Sequence, residues 1–219
     1  MERRYLLSIF SILTVLIGLS QEATKDSVAS VNTRIIQPAF YIDYGKLLTI
    51  PTSFETKYEG GVELTFFEHF PLILEIGQAT LSPEGAFSNG IYESEGFYYR
   101  IGAGFVNQFS PKNKIGVSVR YSAAVFSESG RITIQSPSGV QETFTQTIEN
   151  ENLDANWYEI VVYSDRKLSD LFSIGLNIRL KVLASYEEQN PIDVYAIPGY
   201  GRSFENTVPA ANLFLKITF

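Results

Sequence analysis

The chain contains no cysteine and only one histidine. Without cysteine there is no disulfide, no thiolate metal site, no thiol nucleophile and no lipid on an N-terminal cysteine. With His69 alone, hydrolytic chemistry that couples histidine to Ser or Asp has a single candidate base. Positive charge is also short. The 17 Lys and Arg stand against 24 Asp and Glu, for a formal net charge of −7, which argues against a nucleic-acid binder, since that would need a basic face. Helical periodicity is missing too: after Asn32 no segment repeats its apolar residues at helical spacing.

Aromatic residues are abundant, with 16 Phe and 13 Tyr, a bias that suits β-strands and membrane interfaces. The N-terminus reads as a secretory signal over residues 1–20. Arg3 and Arg4 precede an apolar stretch from Leu6 to Leu19, and the small residues Gly18 and Ser20 allow a cut before Gln21. A membrane anchor is the competing reading, but the stretch is shorter than the roughly 20 residues of a spanning helix. Residues 21–32 form a short polar leader.

From 33 to 219 the sequence alternates. Eight strands are expected, at about 33–44, 58–67, 72–80, 95–109, 114–126, 156–164, 173–185 and 207–219. Long connectors run from Gly45, Ser82, Ser127 and Tyr186. Short ones fall at Glu68–Pro71, Ser110–Asn113 and Asp165–Phe172. In segment 114–126, Ile115, Val117, Val119, Tyr121, Ala123 and Val125 share one face, and Gly116, Ser118, Arg120, Ser122 and Ala124 share the other. Segment 173–185 sets Ile174, Leu176, Ile178, Leu180 and Val182 against Gly175, Asn177, Arg179 and Lys181. A soluble barrel would turn the apolar set inward. Strand lengths near ten residues, a Gly- and Ser-rich polar face, and aromatics near strand ends favour the reverse. Those aromatics are Phe40, Tyr44, Tyr58, Phe66, Phe97, Tyr99, Phe109, Tyr158 and Phe219.

The expected fold is therefore an all-β, eight-stranded antiparallel up-and-down transmembrane β-barrel of the outer-membrane type. Its surroundings are outer-membrane lipid, its insertion uses the barrel-assembly machinery, and its surface-loop partner is open. Ten charged residues fall on the lumen face: Asp43, Glu59, Glu63, Glu75 and Glu159 with Arg100, Arg120, Arg179, Lys181 and Lys216. An eight-stranded interior is just wide enough for side chains to fill it, so this set is expected to pair into a plug. A charge at Val119 on the lipid face is expected to cost more than one at Ser118 on the lumen face.

The segments FYYRIGAGF, IGVSVRYSAAVF, NWYEIVVYSDRKLSDLFSIGLNIRLKVL and IPGYGRSF resemble domain-of-unknown-function family 6048, uncharacterised Bacteroidota outer-membrane barrels. The most specific piece joins Trp157 and Glu159 to Arg179–Lys181 and Ile197–Gly199. The resemblance implies an outer-membrane location and supplies no activity, cofactor or catalytic residue.

Other constellations are weak. His69 lies in a short turn. Glu59 and Glu63 are more simply partners of arginines than an acid–base pair. Gly102-Ala103-Gly104 lies inside a strand with no helix after it, so it is lumen packing rather than a nucleotide loop. Glu142, Glu149, Glu151 and Asp154 lack the spacing of a calcium loop. The connector from Tyr186 to Glu205 is either a contact surface or a loop folded over the mouth, and its deletion is expected to spare folding. No catalytic, metal or cofactor site emerges. A structural or interaction barrel is the leading reading. An enzyme acting on lipid or peptide at the outer rim, or a narrow channel, is the alternative.

Overall fold

A computed structural model describes residues 35–47, 55–83, 86–87, 89–134, 144–190 and 193–219. The expected signal peptide and leader lie outside them. Eight strands close an antiparallel barrel: β1 (Ile36–Asp43), β2 (Glu55–Phe66), β3 (Phe70–Leu81), β4 (Gly90–Ser110), β5 (Asn113–Ile134), β6 (Phe144–Lys167), β7 (Phe172–Tyr186) and β10 (Thr207–Thr218). One turn of helix, α1 (Tyr44–Leu47), follows β1. A short hairpin of β8 (Ala196–Ile197) and β9 (Gly201–Arg202) sits between β7 and β10. Each barrel strand pairs with its neighbour in sequence, β7 with β10 across the hairpin, and β1 with β10 closes the ring.

Every expected strand is present, but three are much longer than the apolar pattern suggests. β4, β5 and β6 run for 21, 22 and 24 residues. The connector expected from Ser127 is largely the upper part of the β5–β6 hairpin, paired from Glu128↔Asn150 to Ile134↔Phe144. A register shift after Phe126 and a positive φ of 59° at Asn152 mark a bulge where this extension begins. Tyr44, expected at the end of a lipid-facing strand, lies in α1 instead. Pro71 belongs to β3 rather than to a turn, and Asp165 belongs to β6. The β2–β3 turn is tight: His69 N–H donates to Phe66 O at 3.0 Å, with positive φ at Phe67 (50°) and Glu68 (65°). That mirror-image turn matches the right-handed twist of the flanking strands.

The barrel is inside out relative to a soluble one. Outward side chains in a continuous band are apolar and exposed, among them Ile42, Leu74, Ile101, Val119, Ile160, Ile178 and Leu213. Tyrosines lie toward the loop end of this band, where Tyr121 and Tyr158 meet edge-on at 5.7 Å. Phenylalanines collect at the turn end, where Phe70 meets Phe105 at 5.9 Å and Phe40 meets Phe219 at 6.0 Å. Above the band the outward residues of β4–β6 turn polar, as at Glu93, Glu95, Ser127, Ser129 and Asp154. Three strands thus rise beyond the apolar belt on one side.

Glycines shape the interior. Four inward rings each lie over a glycine directly opposite on the next strand: Tyr41 on Gly61, Tyr98 on Gly77, Tyr163 on Gly116 and Phe214 on Gly175. A Cβ at Gly77 would fall 2.2 Å from the Tyr98 ring. The missing side chain makes room for a large ring in a narrow cylinder.

Gly77→Ala should therefore lower the stability of the folded barrel by about 1–3 kcal/mol, the usual cost of overpacking. In denaturant titrations, Gly77→Ala with Tyr98→Leu should cost less than the sum of the two single variants. Simple additivity would show that ring and glycine do not act as a pair.

Candidate functional site

The barrel's centre is a ring of six charged side chains, one from each of six successive strands. They are Glu59 (β2), Glu75 (β3), Arg100 (β4), Arg120 (β5), Glu159 (β6) and Arg179 (β7), all buried. Period-two alternation turns each of them inward, and the strand register, as in Glu75↔Arg100 and Arg120↔Glu159, brings them to one level. Arg100 Nη1 donates to Glu59 Oε2 at 2.7 Å and to Glu75 Oε2 at 3.2 Å, and its Nε donates to Glu159 Oε1 at 2.7 Å. Arg179 Nη1 donates to Glu75 Oε2 at 2.7 Å and to Glu159 Oε2 at 3.2 Å. Its Nη2 reaches Glu59 Oε1 and Glu75 Oε1, both at 3.1 Å. Arg120 Nη1 donates to Glu75 Oε1, and its Nε to Ser118 Oγ at 3.2 Å.

Neutral donors complete the shell. Tyr41 OH donates to Glu75 at 2.8 Å, Tyr98 OH to Glu59 at 2.7 Å and Trp157 Nε1 to Glu159 at 2.7 Å. Burying this many charges is costly unless each finds partners, and here every ring carboxylate accepts several charge-assisted bonds. Below the ring, Lys216 Nζ bridges Glu63 at 2.9 Å and Asp165 at 2.6 Å. Between these two levels the void is about 10 Å³, at the limit of one water. A polar vestibule of about 200 Å³ opens beneath, lined in part by Glu63, Lys112, Lys114 and Lys167.

Above the ring the β7–β10 connector folds into the mouth. Ile197, Pro198 and Tyr200 are buried. The Gly199 carbonyl accepts from Arg100 Nη2 at 3.2 Å and from Lys181 Nζ at 2.8 Å, and Tyr200 O accepts from Lys181 Nζ at 2.9 Å. The Tyr200 ring meets that of Trp157 at 5.7 Å with a tilt of 59°, and burial raises its phenol above the ordinary tyrosine value. The upper extensions of β4–β6 hold the hairpin from the side. Tyr92 OH accepts from the Ala196 N–H at 3.2 Å and donates to Glu128 at 2.6 Å. This connector is part of the packed interior. The expectation that it can be removed without loss of folding is corrected: deletion uncovers Trp157, Arg100 and Lys181.

The structure places all ten expected lumen charges inside. Asp43 stands apart from the ring, accepting from Asn212 Nδ2. Three further interior charges escaped the sequence reading: Lys57, Glu128 and Asp165. Each sits at or beyond the end of the strand that the apolar pattern marks out. Ser118 is buried beside Arg120, so an arginine there overpacks the interior, and the comparison of Val119 with Ser118 does not isolate the apolar outer face. His69 stacks on Phe105 at 5.6 Å, with Nδ1 3.1 Å from Val106 O. Glu149, Glu151 and Asp154 are exposed along β6, and Glu142 lies outside the described residues. At the turn end, a hydrogen bond from Lys167 at 2.9 Å lowers the Asp170 carboxyl.

The profile of a family described as Domain of unknown function (DUF6048) matches residues 3–214. No curated protein matches. Among solved structures, the N-terminal β-barrel domain of Pseudomonas aeruginosa OprF is 12% identical, with a TM-score of 0.40 and with 84% of this chain and 96% of that chain covered. Ail, the attachment invasion locus protein of Yersinia pestis, solved with the heparin analogue sucrose octasulfate, is 9% identical. Its TM-score is 0.41, with coverage of 84% of this chain and 96% of that chain.

Among the described residues, Glu75 meets three guanidinium groups within the ring and Arg120 one carboxylate. Glu75→Leu should therefore destabilise the folded barrel more than Arg120→Leu, by about 3–5 kcal/mol for the former, the usual penalty for stranding buried partners. Urea titration in detergent or liposomes checks the order. The reverse order would mean that Glu75 is not the hub.

Proposed function

The chain belongs to the DUF6048 family, and we propose that it serves in the bacterial outer membrane as a plugged structural or interaction barrel. On this reading residues 1–20 are a cleaved export signal, and the cell is a two-membraned bacterium such as a member of the Bacteroidota. The observation that carries it is the inverted distribution of polarity. An uncharged, exposed apolar band encloses a ring of six buried charges. A soluble protein would gain nothing from that arrangement, whereas in lipid each charge is costly outside and can pair inside.

The ring and the inserted hairpin support a plug rather than a pore. The lower vestibule and the mouth are separated by side chains that bond to one another across the lumen. No catalytic role is assigned. His69 is held at the turn end by Phe105 and Val106, away from the long upper strands. The projecting parts of β4–β6 and the surface loops are then what a partner outside the cell meets.

Two measurements test this reading. Native protein should fractionate with outer-membrane markers and shift on gels when heated, and it should give no steady conductance in planar bilayers. Recovery from the soluble periplasm sinks the location, and stable conductance sinks the plug. Val119→Arg should cut insertion yield into liposomes, at about 2–4 kcal/mol for a lipid-facing Arg at mid-depth. Gln37→Arg, in the polar lower vestibule, should be tolerated. Equal yields would show that the apolar band does not face lipid.

A further inference from the structure

The upper part of β6 has a neighbouring strand on one side only. β5 pairs with it from Glu128↔Asn150 to Ile134↔Phe144. On the other side β7 reaches only to Ala155↔Tyr186, and one more backbone bond runs from Glu187 N–H to Asp154 O at 3.0 Å. Among the described residues, no strand lies along that side of β6 from Phe144 to Leu153. Alternate residues of such an edge turn their N–H and C=O away from the paired side. The stretch from Thr145 to Glu151 spans roughly 23 Å, at about 3.3 Å per residue.

Exposed edges are commonly blunted by proline, by lysine or by a bulge. From Phe144 to Leu153 there is no Pro and no Lys, and the bulge at Asn152 lies at the base of the extension, below Glu151. What this edge carries instead is acid. Thr145, Thr147, Glu149, Glu151 and Asp154 stand outward on β6, all exposed. Acids on an edge hold identical edges apart and leave it open to a strand of the opposite charge.

The surroundings have the same sign. Glu93 and Glu95 of β4 face outward on the same sheet, and the exposed Glu187 and Glu188 flank the lower end of the edge from the β7 side. Arg131 of β5, paired with Thr147 in the ladder, is the one outward base among the described residues of Gly90–Glu95, Ser127–Ile134 and Phe144–Asp154. The loop residues outside the described ones, 48–54, 84–85, 88, 135–143 and 191–192, include no Lys or Arg. They add no counter-charge to this face.

We propose that the edge of β6 from Thr145 to Glu151 takes an extended, basic segment of a different protein as an added strand. Main-chain hydrogen bonds to the edge supply affinity, and Lys or Arg at alternate positions, beside Glu149 and Glu151, supply the choice of partner. A second copy of this chain does not fit. Its own acids would face these, and two barrels side by side in one membrane hold their β6 strands tilted by roughly 40° each, so the two edges cross at about 80° instead of pairing. The proposal deepens the interaction-barrel reading and rests on it.

The test is amide hydrogen exchange on the purified full-length barrel in maltoside micelles. The probe is a synthetic peptide of about ten residues that alternates lysine with valine, offered at up to millimolar concentration. It should slow exchange about tenfold or more at the alternate amides of Thr145–Glu151 that point away from β5. The same peptide N-methylated at every residue keeps its charge, loses its donors and should give no protection, and a glutamate-for-lysine peptide should give none either. Glu149→Gln combined with Glu151→Gln, both at exposed positions, should weaken binding of the lysine peptide about threefold or more, as expected for two exposed ion pairs. No protection by the lysine peptide, equal protection by the N-methylated or glutamate peptide, or protection that grows with barrel concentration alone overturns the proposal. The assay reads a purified barrel, so its failure leaves the location and the plug standing, and fractionation and conductance decide those on their own.

Discussion

Three carboxylates facing three guanidinium groups at the barrel's centre are the constraint on which the rest depends. Such a ring is tolerable only if every member has partners, since the loss of one leaves a charge with neither water nor counter-ion. That requirement fixes the register of six strands at once. Sliding any of β2–β7 by one residue would move its charge from the ring to the apolar exterior. The ring and the outer band are two readings of one alternation. A pattern that puts Arg120 inside must put Val119 and Tyr121 outside.

The aromatic–glycine pairs solve the problem of space. A cylinder of eight strands is filled by ordinary side chains, yet this one holds Tyr41, Tyr98, Tyr163 and Phe214 as well as the ring. Each ring lies across a glycine on the adjacent strand. Two of those tyrosines, Tyr41 and Tyr98, also donate to Glu75 and Glu59. The same side chain fills the section and satisfies a carboxylate, so packing and electrostatics cannot be separated at these positions.

Much of this is legible in the sequence, for a definite reason. Inside the apolar band, an inward Arg100 is flanked by Tyr99 and Ile101, and the contrast between neighbours marks both faces. Glu128 is flanked instead by Ser127 and Ser129. Above the band the outward residues are polar as well, both faces become polar, and the period in hydropathy fades while the backbone continues as strand. Hence the tops of β5 and β6 look like a loop in sequence. Lys57 is lost similarly, one residue before the first clear outward aromatic. The hairpin at Ile197–Tyr200 is hidden for another reason. Its apolar residues have no period, and only the assembled mouth, with Trp157 and Tyr92 in place, gives them somewhere to go.

The ring also bears on how such a chain reaches its final state. Glu59 and Arg179 stand 120 positions apart in the chain, and Glu75 and Arg179 stand 104 apart. Neither contact forms within a hairpin, and both need the sheet to have curled round on itself. If the barrel assembles in lipid, as proposed, a half-built sheet would hold bare guanidinium groups against hydrocarbon. Stepwise entry of separate hairpins is therefore opposed by the chain's own charges, and curling and burial become one event. In reverse, none of β2–β7 can leave without stranding ring charges on other strands. On the proposed outer-membrane reading, the barrel is accordingly guarded by a high barrier to escape as well as by its equilibrium stability.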